Sequence, residues 1–213
     1  AIDYRFVARE GELIWFSERG KVVHGPHGEP VHMIGVSQDV TERVRREEEV
    51  RYLAYHDTLT GLPNRRLLED RVKQAVFLAQ RRDTSVALLS IDLDRFKEVN
   101  DALGHKAGDA VLREISNRLQ GCVRRSDTLA RQGGDEFVIV IPESAQDAEC
   151  AIVAEKILRS LAAPVRVDGR EFTLGASIGV SLYPDDASDW EALFRNADVA
   201  MYRAKELGRN NYR

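Results

Sequence analysis

Gly133-Gly134 stands between two short runs with the branched and alternating residues of strands, Thr128–Gln132 and Glu136–Ile141. A glycine pair in that place predicts a two-residue hairpin, because both positions can take positive φ. It makes Asp135 and Glu136 the first residues of the outgoing strand. A hairpin this tight must be built into a larger sheet, and the flanking elements say which one. A helix over about Arg65–Gln80 precedes a strong strand, Ser85–Leu93, and a helix over about Lys106–Cys122 leads into the hairpin. A helix over about Gln146–Leu161, a strand Arg170–Tyr183 and a last helix from about Ser188 to Leu207 follow. The order β-α-β-β-α-β belongs to the α+β class and is the ferredoxin-like split arrangement.

That topology has a chemical consequence. The first strand lies antiparallel beside the third, so the end of Ser85–Leu93 meets the start of Glu136–Ile141. Asp92 and Asp94, an i, i+2 pair, are thereby expected close to Asp135 and Glu136. Four converging carboxylates repel one another unless a cation sits among them. An all-oxygen ligand set suits Mg²⁺ or Mn²⁺ and phosphate chemistry. A lone Asp-x-Asp would be read as ordinary turn carboxylates, which acidic residues favour. Its pairing with a Gly-Gly-Asp-Glu turn at the neighbouring strand end favours the metal.

Thirty-one Lys and Arg against 35 Asp and Glu give a net charge of −4. That argues against a nucleic-acid binder, which needs a basic face. No apolar run approaches the ~20 residues of a membrane span, and there is no signal-peptide pattern. The two cysteines, Cys122 and Cys150, make no disulfide framework and fit a reducing compartment. The expectation is a cytoplasmic chain, with any membrane segment outside this stretch. Its 213 residues are long for one domain and short for two. Tyr4–Arg9, Leu13–His24 and Val31–Val40 read as strands, with Gly25-Pro26-His27-Gly28-Glu29-Pro30 as a turn. Three strands expose more edge than they can cover, so this stretch reads as the tail of a domain whose beginning is missing. Asp39 or Thr41 can cap a helix over Thr41–Tyr55. Its apolar stripe, Val40, Val44, Val50, Leu53 and Ala54, is broken, which leaves a short coiled-coil connector and a solvated linker helix both open.

Arg131-Gln132-Gly133-Gly134-Asp135-Glu136-Phe137 resembles the signature of the GGDEF family, the diguanylate cyclases. The resemblance extends to Asp57-x-Leu59-Thr60-Gly61-Leu62-Pro63-Asn64-Arg65 and to Ile91-Asp92-Leu93-Asp94-x-Phe96-Lys97-x-Val99-Asn100-Asp101. It continues through Gly104-His105-x-x-Gly108-Asp109 and Ala197-Asp198-x-Ala200-Met201-Tyr202-x-Ala204-Lys205-x-x-Gly208-Arg209-Asn210. Separately, Trp15, the Gly-rich turn and Ile34–Arg43 resemble the closing strands of a PAS sensor domain. The two resemblances imply PAS-like strands over 1–40, a signalling helix over 41–55 and a palm-type GGDEF domain over 52–213. They also imply an activity: two GTP condense to cyclic di-GMP and two pyrophosphates, with divalent metal, across a homodimer.

By position, the resemblance implies Asp92 and Asp135 as side-chain metal ligands and the Leu93 carbonyl as a backbone ligand. Glu136 is the second signature acid, open between metal binding and activation of the ribose 3′-hydroxyl. Lys97 joins Asp135 and Glu136 in the catalytic set, and Lys97, Lys205 and Arg209 are phosphate contacts. Lys205 and Arg209 are i, i+4 and share a face if the last helix persists that far. Phe96, Gly133 and Gly134 complete the substrate contacts. Asn100 and Asp109 match the guanine readers: a carboxylate accepts from guanine N1–H and the 2-amino group, whereas adenine would leave it unpaired. Nothing fits G-x-x-x-x-G-K-[ST], so the triphosphate must be held by metal, lysines and backbone N–H groups. Arg124-Arg125-Ser126-Asp127 resembles the family's inhibitory site, in which Arg124 and Asp127 bind the product. The form of Leu59–Arg65 and the closing Asn210-Asn211-Tyr212-Arg213 resemble tandem proteins in which an EAL phosphodiesterase domain follows. A chain continuing past Arg213 is therefore expected. The other reading is a GTP- or cyclic di-GMP-binding module that regulates such a neighbour.

Overall fold

The computed structural model describes residues 2–8, 11–143, 147–167 and 169–213. Contacts divide the chain into two compact units, with the boundary after Ala54. In the first, β1 (Ile2–Val7), β2 (Leu13–His24) and β3 (Pro30–Asp39) form an antiparallel sheet in that order. The first strand thus starts and ends earlier than the predicted Tyr4–Arg9, and Arg9 lies outside the described residues. Asp39 Oδ1 accepts the Thr41 N–H at 2.9 Å, and helix α1 (Thr41–Tyr55) follows. Hydrogen bonds from Thr41 hold the Asp39 carboxyl below the usual carboxylate range. Val50 and Leu53 of α1 are exposed, and the ion pairs Arg43–Glu47 and Glu42–Arg46 run along its surface.

The second unit opens with α2 (Arg65–Arg82), capped by Asn64, whose side chain accepts from the Arg66 and Leu67 N–H groups. Next come β4 (Val86–Leu93), α3 (Phe96–Leu103), α4 (His105–Gln120), β5 (Thr128–Gly133) and β6 (Glu136–Pro142). The chain continues with α5 (Asp147–Leu161), β7 (Val165–Val167), β8 (Arg170–Phe172), β9 (Ala176–Tyr183), α6 (Trp190–Glu206) and β10 (Asn211–Tyr212). The main sheet has the order β10-β9-β4-β6-β5. All its pairings are antiparallel except β10 with β9. Its four long strands therefore have the expected ferredoxin-like order, with the first strand between the last and the third.

The strand period of two sorts β4 between two cores. Ala87, Leu89, Ile91 and Leu93 pack with Val111, Ile115, Phe137 and Ile157 on the α4 and α5 side. Val86 and Leu88 pack with Leu68, Val72, Leu193 and Ala197 on the side of α2 and α6. α6 lies close to the sheet because β9 offers Gly179. A Cβ there would stand 1.9 Å from the Ala197 carbonyl oxygen and 2.2 Å from the Met201 nitrogen.

Other elements differ from expectation as well. The predicted strand Arg170–Tyr183 is two strands, β8 and β9, and β8 turns back on β7 through Gly169 at φ 76°. Asp168-Gly169 is a hairpin signal embedded in a longer apolar-polar run, which hides it. Helix α3 was not expected. It is only eight residues long and follows Arg95, which makes no side-chain cap bond, so it gives no start signal. α4 runs His105–Gln120 in place of Lys106–Cys122, and α5 is seen from Asp147, since Gln146 lies outside the described residues.

Candidate active site

At the end of β4, Asp92 stands opposite Glu136 of β6 on one side and Ser177 of β9 on the other. Strand parity turns Ser90, Asp92 and Glu136 to the face covered by α6. The hairpin that delivers Glu136 is offset by one residue from expectation. Gly133 pairs with Glu136, so the two-residue loop is Gly134-Asp135 and not Gly133-Gly134. A register irregularity between Arg131 and Gly133 takes Gln132 out of the ladder, which moves the turn along. Gly134, at φ 53°, fills the first loop position, where positive φ is required. Asp135 therefore sits in the turn and Glu136 alone begins the strand. The Leu93 N–H donates to the Asp135 carbonyl at 3.2 Å, which fastens the turn to the end of β4.

A buried arginine holds this turn from below. Arg131 is 8% exposed. Its Nε and Nη2 donate to the Gly134 carbonyl at 3.0 and 2.7 Å, and its Nη1 donates to both oxygens of Asp57 at 2.9 and 3.0 Å. Asp57 also accepts the Thr60 N–H and hydroxyl. Burial pushes the Asp57 carboxyl up, but the bonds from Thr60 and Arg131 outweigh it and hold the group below its ordinary range. Both residues were visible inside motifs, yet nothing in a single sequence pairs positions so far apart.

The charges around Asp92 converge in part. Partial burial raises the Asp92 carboxyl, Asp135 and Asp94 add to that, and Lys205 opposes it. Glu136 is raised by partial burial and then by Asp92, Asp198 and Asp135. Lys205 Nζ lies 2.7 Å from Asp92 Oδ2. Asp198, not anticipated as a site residue, accepts the Ser90 hydroxyl at 2.7 Å from its place on α6. Of the four expected carboxylates, Asp94 stands near enough to raise Asp92, but its oxygens are taken by other partners. This residue is 7% exposed and accepts the Ser177 hydroxyl at 2.7 Å and the Asn210 N–H at 2.8 Å. Among the described residues, no three His, Cys, Asp or Glu side chains gather closely enough to hold a metal ion by themselves. The donor set nonetheless fits Mg²⁺ or Mn²⁺, because these ions take one or two carboxylates and complete their shell with water and substrate phosphates. Partial burial first and neighbouring carboxylates next raise both Asp92 and Glu136, and a cation among them would relieve the second of these.

The residues expected to read the base are neighbours. Asn100 Oδ1 would lie 1.9 Å from a Cβ at Gly108, and the Phe96 ring 3.3 Å away, so the Asn100 amide lies over Gly108, one residue before Asp109. Phe96 itself is buried. Lys97 is exposed on α3. Lys205 and Arg209 do not share a helix face, because α6 ends at Glu206 and the chain then takes positive φ at Gly208, Arg209 and Asn210. Arg124 and Asp127 precede β5, whose far end carries the hairpin roughly 17 Å away. Asp127 Oδ2 accepts the Arg124 N–H at 2.8 Å, and the Arg124 guanidinium pairs with Glu149 at 2.5 Å.

The chain matches two family models: "Diguanylate cyclase, GGDEF domain" over residues 54–211 and "PAS fold" over residues 1–37. It is 48% identical over 172 residues to the bifunctional diguanylate cyclase/cyclic di-GMP phosphodiesterase MucR of Pseudomonas aeruginosa, covering 81% of this chain and 25% of MucR. The crystal structure of the GGDEF domain of TpbB from Pseudomonas aeruginosa aligns with a TM-score of 0.71 at 44% identity, covering 72% of this chain and 96% of that one. A sensory box/GGDEF family protein from Caulobacter crescentus aligns with a TM-score of 0.69 at 50% identity, covering 72% and 99%. The chain spans between 21% and 37% of the length of these and the other similar curated relatives. No helix among the described residues is long and apolar enough to cross a membrane. Motifs, strand order, the hairpin beside Asp92 and the family model all meet in one unit, and the chain belongs to the GGDEF family of diguanylate cyclase domains.

Proposed function

We propose that this chain condenses two GTP molecules into cyclic di-GMP and two pyrophosphates, each GGDEF domain of a homodimer carrying one GTP. The observation that carries the reading is the register Asp92↔Glu136, with the Asp135 turn fastened to Leu93 and Lys205 above Asp92. In each of two steps the 3′-oxygen of one GTP attacks the α-phosphorus of the other. The bond from that phosphorus to the bridging oxygen breaks, and pyrophosphate leaves. Asp92, the Leu93 carbonyl, Asp135 and Glu136 are the residues that would hold Mg²⁺ or Mn²⁺, which when bound neutralises the triphosphate and acidifies the 3′-hydroxyl. Glu136 stands across the ladder from Asp92, a place from which it would also accept the hydroxyl proton. Lys97, Lys205 and Arg209 grip phosphates, with Phe96, Gly133 and Gly134 lining the nucleotide's path. Asn100 and Asp109 read guanine, and their unpaired polar groups would disfavour ATP. GTP as substrate places the domain in the cytoplasm.

Arg124 and Asp127 are the proposed feedback site for cyclic di-GMP: guanidinium suits phosphate and the guanine edge, carboxylate the guanine donors. Arg124→Ala should relieve inhibition by added cyclic di-GMP without lowering the initial rate. The main test incubates the protein with GTP and Mg²⁺ at high concentration and identifies product by mass spectrometry. Cyclic di-GMP is expected, with Asp135→Ala and Glu136→Ala each losing at least about 100-fold. A second reading is supported by the two activities in MucR's name and by the short span of the relatives covered here. In it the domain binds GTP to regulate an attached EAL phosphodiesterase domain. Tight GTP binding without turnover, in a protein shown to be dimeric, would replace the first reading with this one.

A further inference from the structure

Asp94 was expected to join the metal-side acids, and its actual place is unusual. It is a nearly buried carboxylate whose oxygens accept from neutral donors: the Ser177 hydroxyl, itself fully buried, and the Asn210 N–H. Its own N–H donates to the Gly175 carbonyl at 2.9 Å. A Cβ on Gly175 would stand 2.8 Å from Asp94 Oδ2 and 3.1 Å from the Asn210 side chain, so these three residues meet with no room to spare. Burying a carboxylate is costly unless its bonds are strong, and both of these are charge-assisted. The chain they secure is strained: Arg209 at φ 63° and Asn210 at φ 47° are consecutive non-glycine residues in the left-handed region. Such geometry persists only where its surroundings over-determine it. Arg209 is exposed and makes no ion pair among the described residues, although its N–H donates to the Ala204 carbonyl at 3.1 Å.

We propose that Asp94 is a positioning residue: it clamps the Asn210 N–H and so aims the Arg209 guanidinium at the nucleotide's phosphates. The inference rests on the cyclase reading of the site, in which Arg209 is a phosphate contact. In this proposal Asp94 acts on the nucleotide through the turn, and its charge also reaches Asp92. An amide at this position can keep both contacts, its oxygen accepting from Asn210 and its NH₂ donating to the Ser177 oxygen, whereas a methyl can keep neither.

The test measures calorimetric affinity for 3′-deoxy-GTP with Mg²⁺, a ligand that binds but lacks the attacking hydroxyl. Asp94→Ala should weaken binding about tenfold, Asp94→Asn should hold within about threefold of wild type, and Arg209→Gln should lose about tenfold. The double variant Asp94→Ala/Arg209→Gln should bind no more weakly than Arg209→Gln alone. Amide hydrogen exchange at Asn210 in nucleotide-free protein should accelerate in Asp94→Ala. Multiplied losses in the double variant, or wild-type affinity in Asp94→Ala, would overturn the proposal. If Asp94→Ala fails to fold, Ser177→Ala removes one donor and should show the same non-additivity with Arg209→Gln at a smaller scale. If wild type binds no 3′-deoxy-GTP, the cyclase reading falls. Unchanged exchange at Asn210 would instead sink the clamp by itself.

Discussion

A Cβ at Gly108 would stand 1.9 Å from Asn100 Oδ1, the far end of a side chain that can rotate away, and 3.3 Å from the Phe96 ring. The backbone of α4 would gain from the change, since Ala is favoured over Gly in a helix interior by about 1 kcal/mol. Gly108→Ala should therefore leave the melting temperature unchanged or raised, while Asn100 is pushed off the place from which we propose it reads guanine. We expect GTP affinity to fall about tenfold and the preference for GTP over ATP to narrow, both measured by calorimetry. Unchanged GTP affinity would show that Asn100 does not read the base from this position. Arg131 behaves oppositely, because it supports geometry and leaves no slack. Arg131→Ala strands the Asp57 carboxylate and takes two donors from the Gly134 carbonyl. Its cost should be about 2 kcal/mol in urea unfolding, reduced from the fully buried case because Asp57 is partly solvated. Activity should fall as well, through the loosened Asp135 turn.

Among the elements, α6 is held against the sheet where Gly179 lets helix backbone replace a side chain. In Gly179→Ala the obstructing atoms are the Ala197 carbonyl oxygen and the Met201 nitrogen, which cannot rotate away. The helix must move outward, carrying Lys205 from Asp92 and Asp198 from Ser90. Overpacking of this kind should cost about 3 kcal/mol and lower GTP affinity together with stability, so that, unlike Gly108→Ala, both readouts fall. A melting temperature equal to wild type would mean that α6 is not seated on Gly179. The order of strands and the acids at 92, 135 and 136 were legible in the sequence, because strand periodicity and a glycine pair act over a few neighbouring residues. What was not legible depends on contacts across the fold. The one-residue shift of the hairpin comes from a bulge at Gln132, α3 lacks a capping side chain, and Arg209 leaves the helix line because left-handed residues follow Leu207. Asp94 was misplaced for the same reason: strand parity puts it beside Asp92, but β4 ends at Leu93 and the parity ends with it.

At the scale of the whole molecule, the proposed site opposes the fold that carries it. Asp92 and Glu136 are both raised above their ordinary range, by partial burial first and neighbouring carboxylates next. A raised carboxyl in the folded state stabilises fully below the unfolded pKa of about 4, and that contribution is lost as pH rises through the folded value. Asp57 runs the other way: its depressed carboxyl stabilises above the unfolded pKa, and that support is lost as pH falls through the folded value. Glu136→Gln removes one repelling charge without changing shape. In nucleotide-free protein it should match wild-type stability near pH 3.5 and exceed it near pH 7.5. The gain should stay below about 1 kcal/mol, since Glu136 is solvent-screened, and should shrink further in high salt. The same variant should fail to make cyclic di-GMP, so that stability and activity part in one substitution. Adding Mg²⁺ with 3′-deoxy-GTP should then raise the melting temperature of wild type more than that of Glu136→Gln, because only wild type has that repulsion to relieve. Equal stability of the two proteins at pH 7.5 in low salt would show that the carboxylates at the sheet end do not strain the fold.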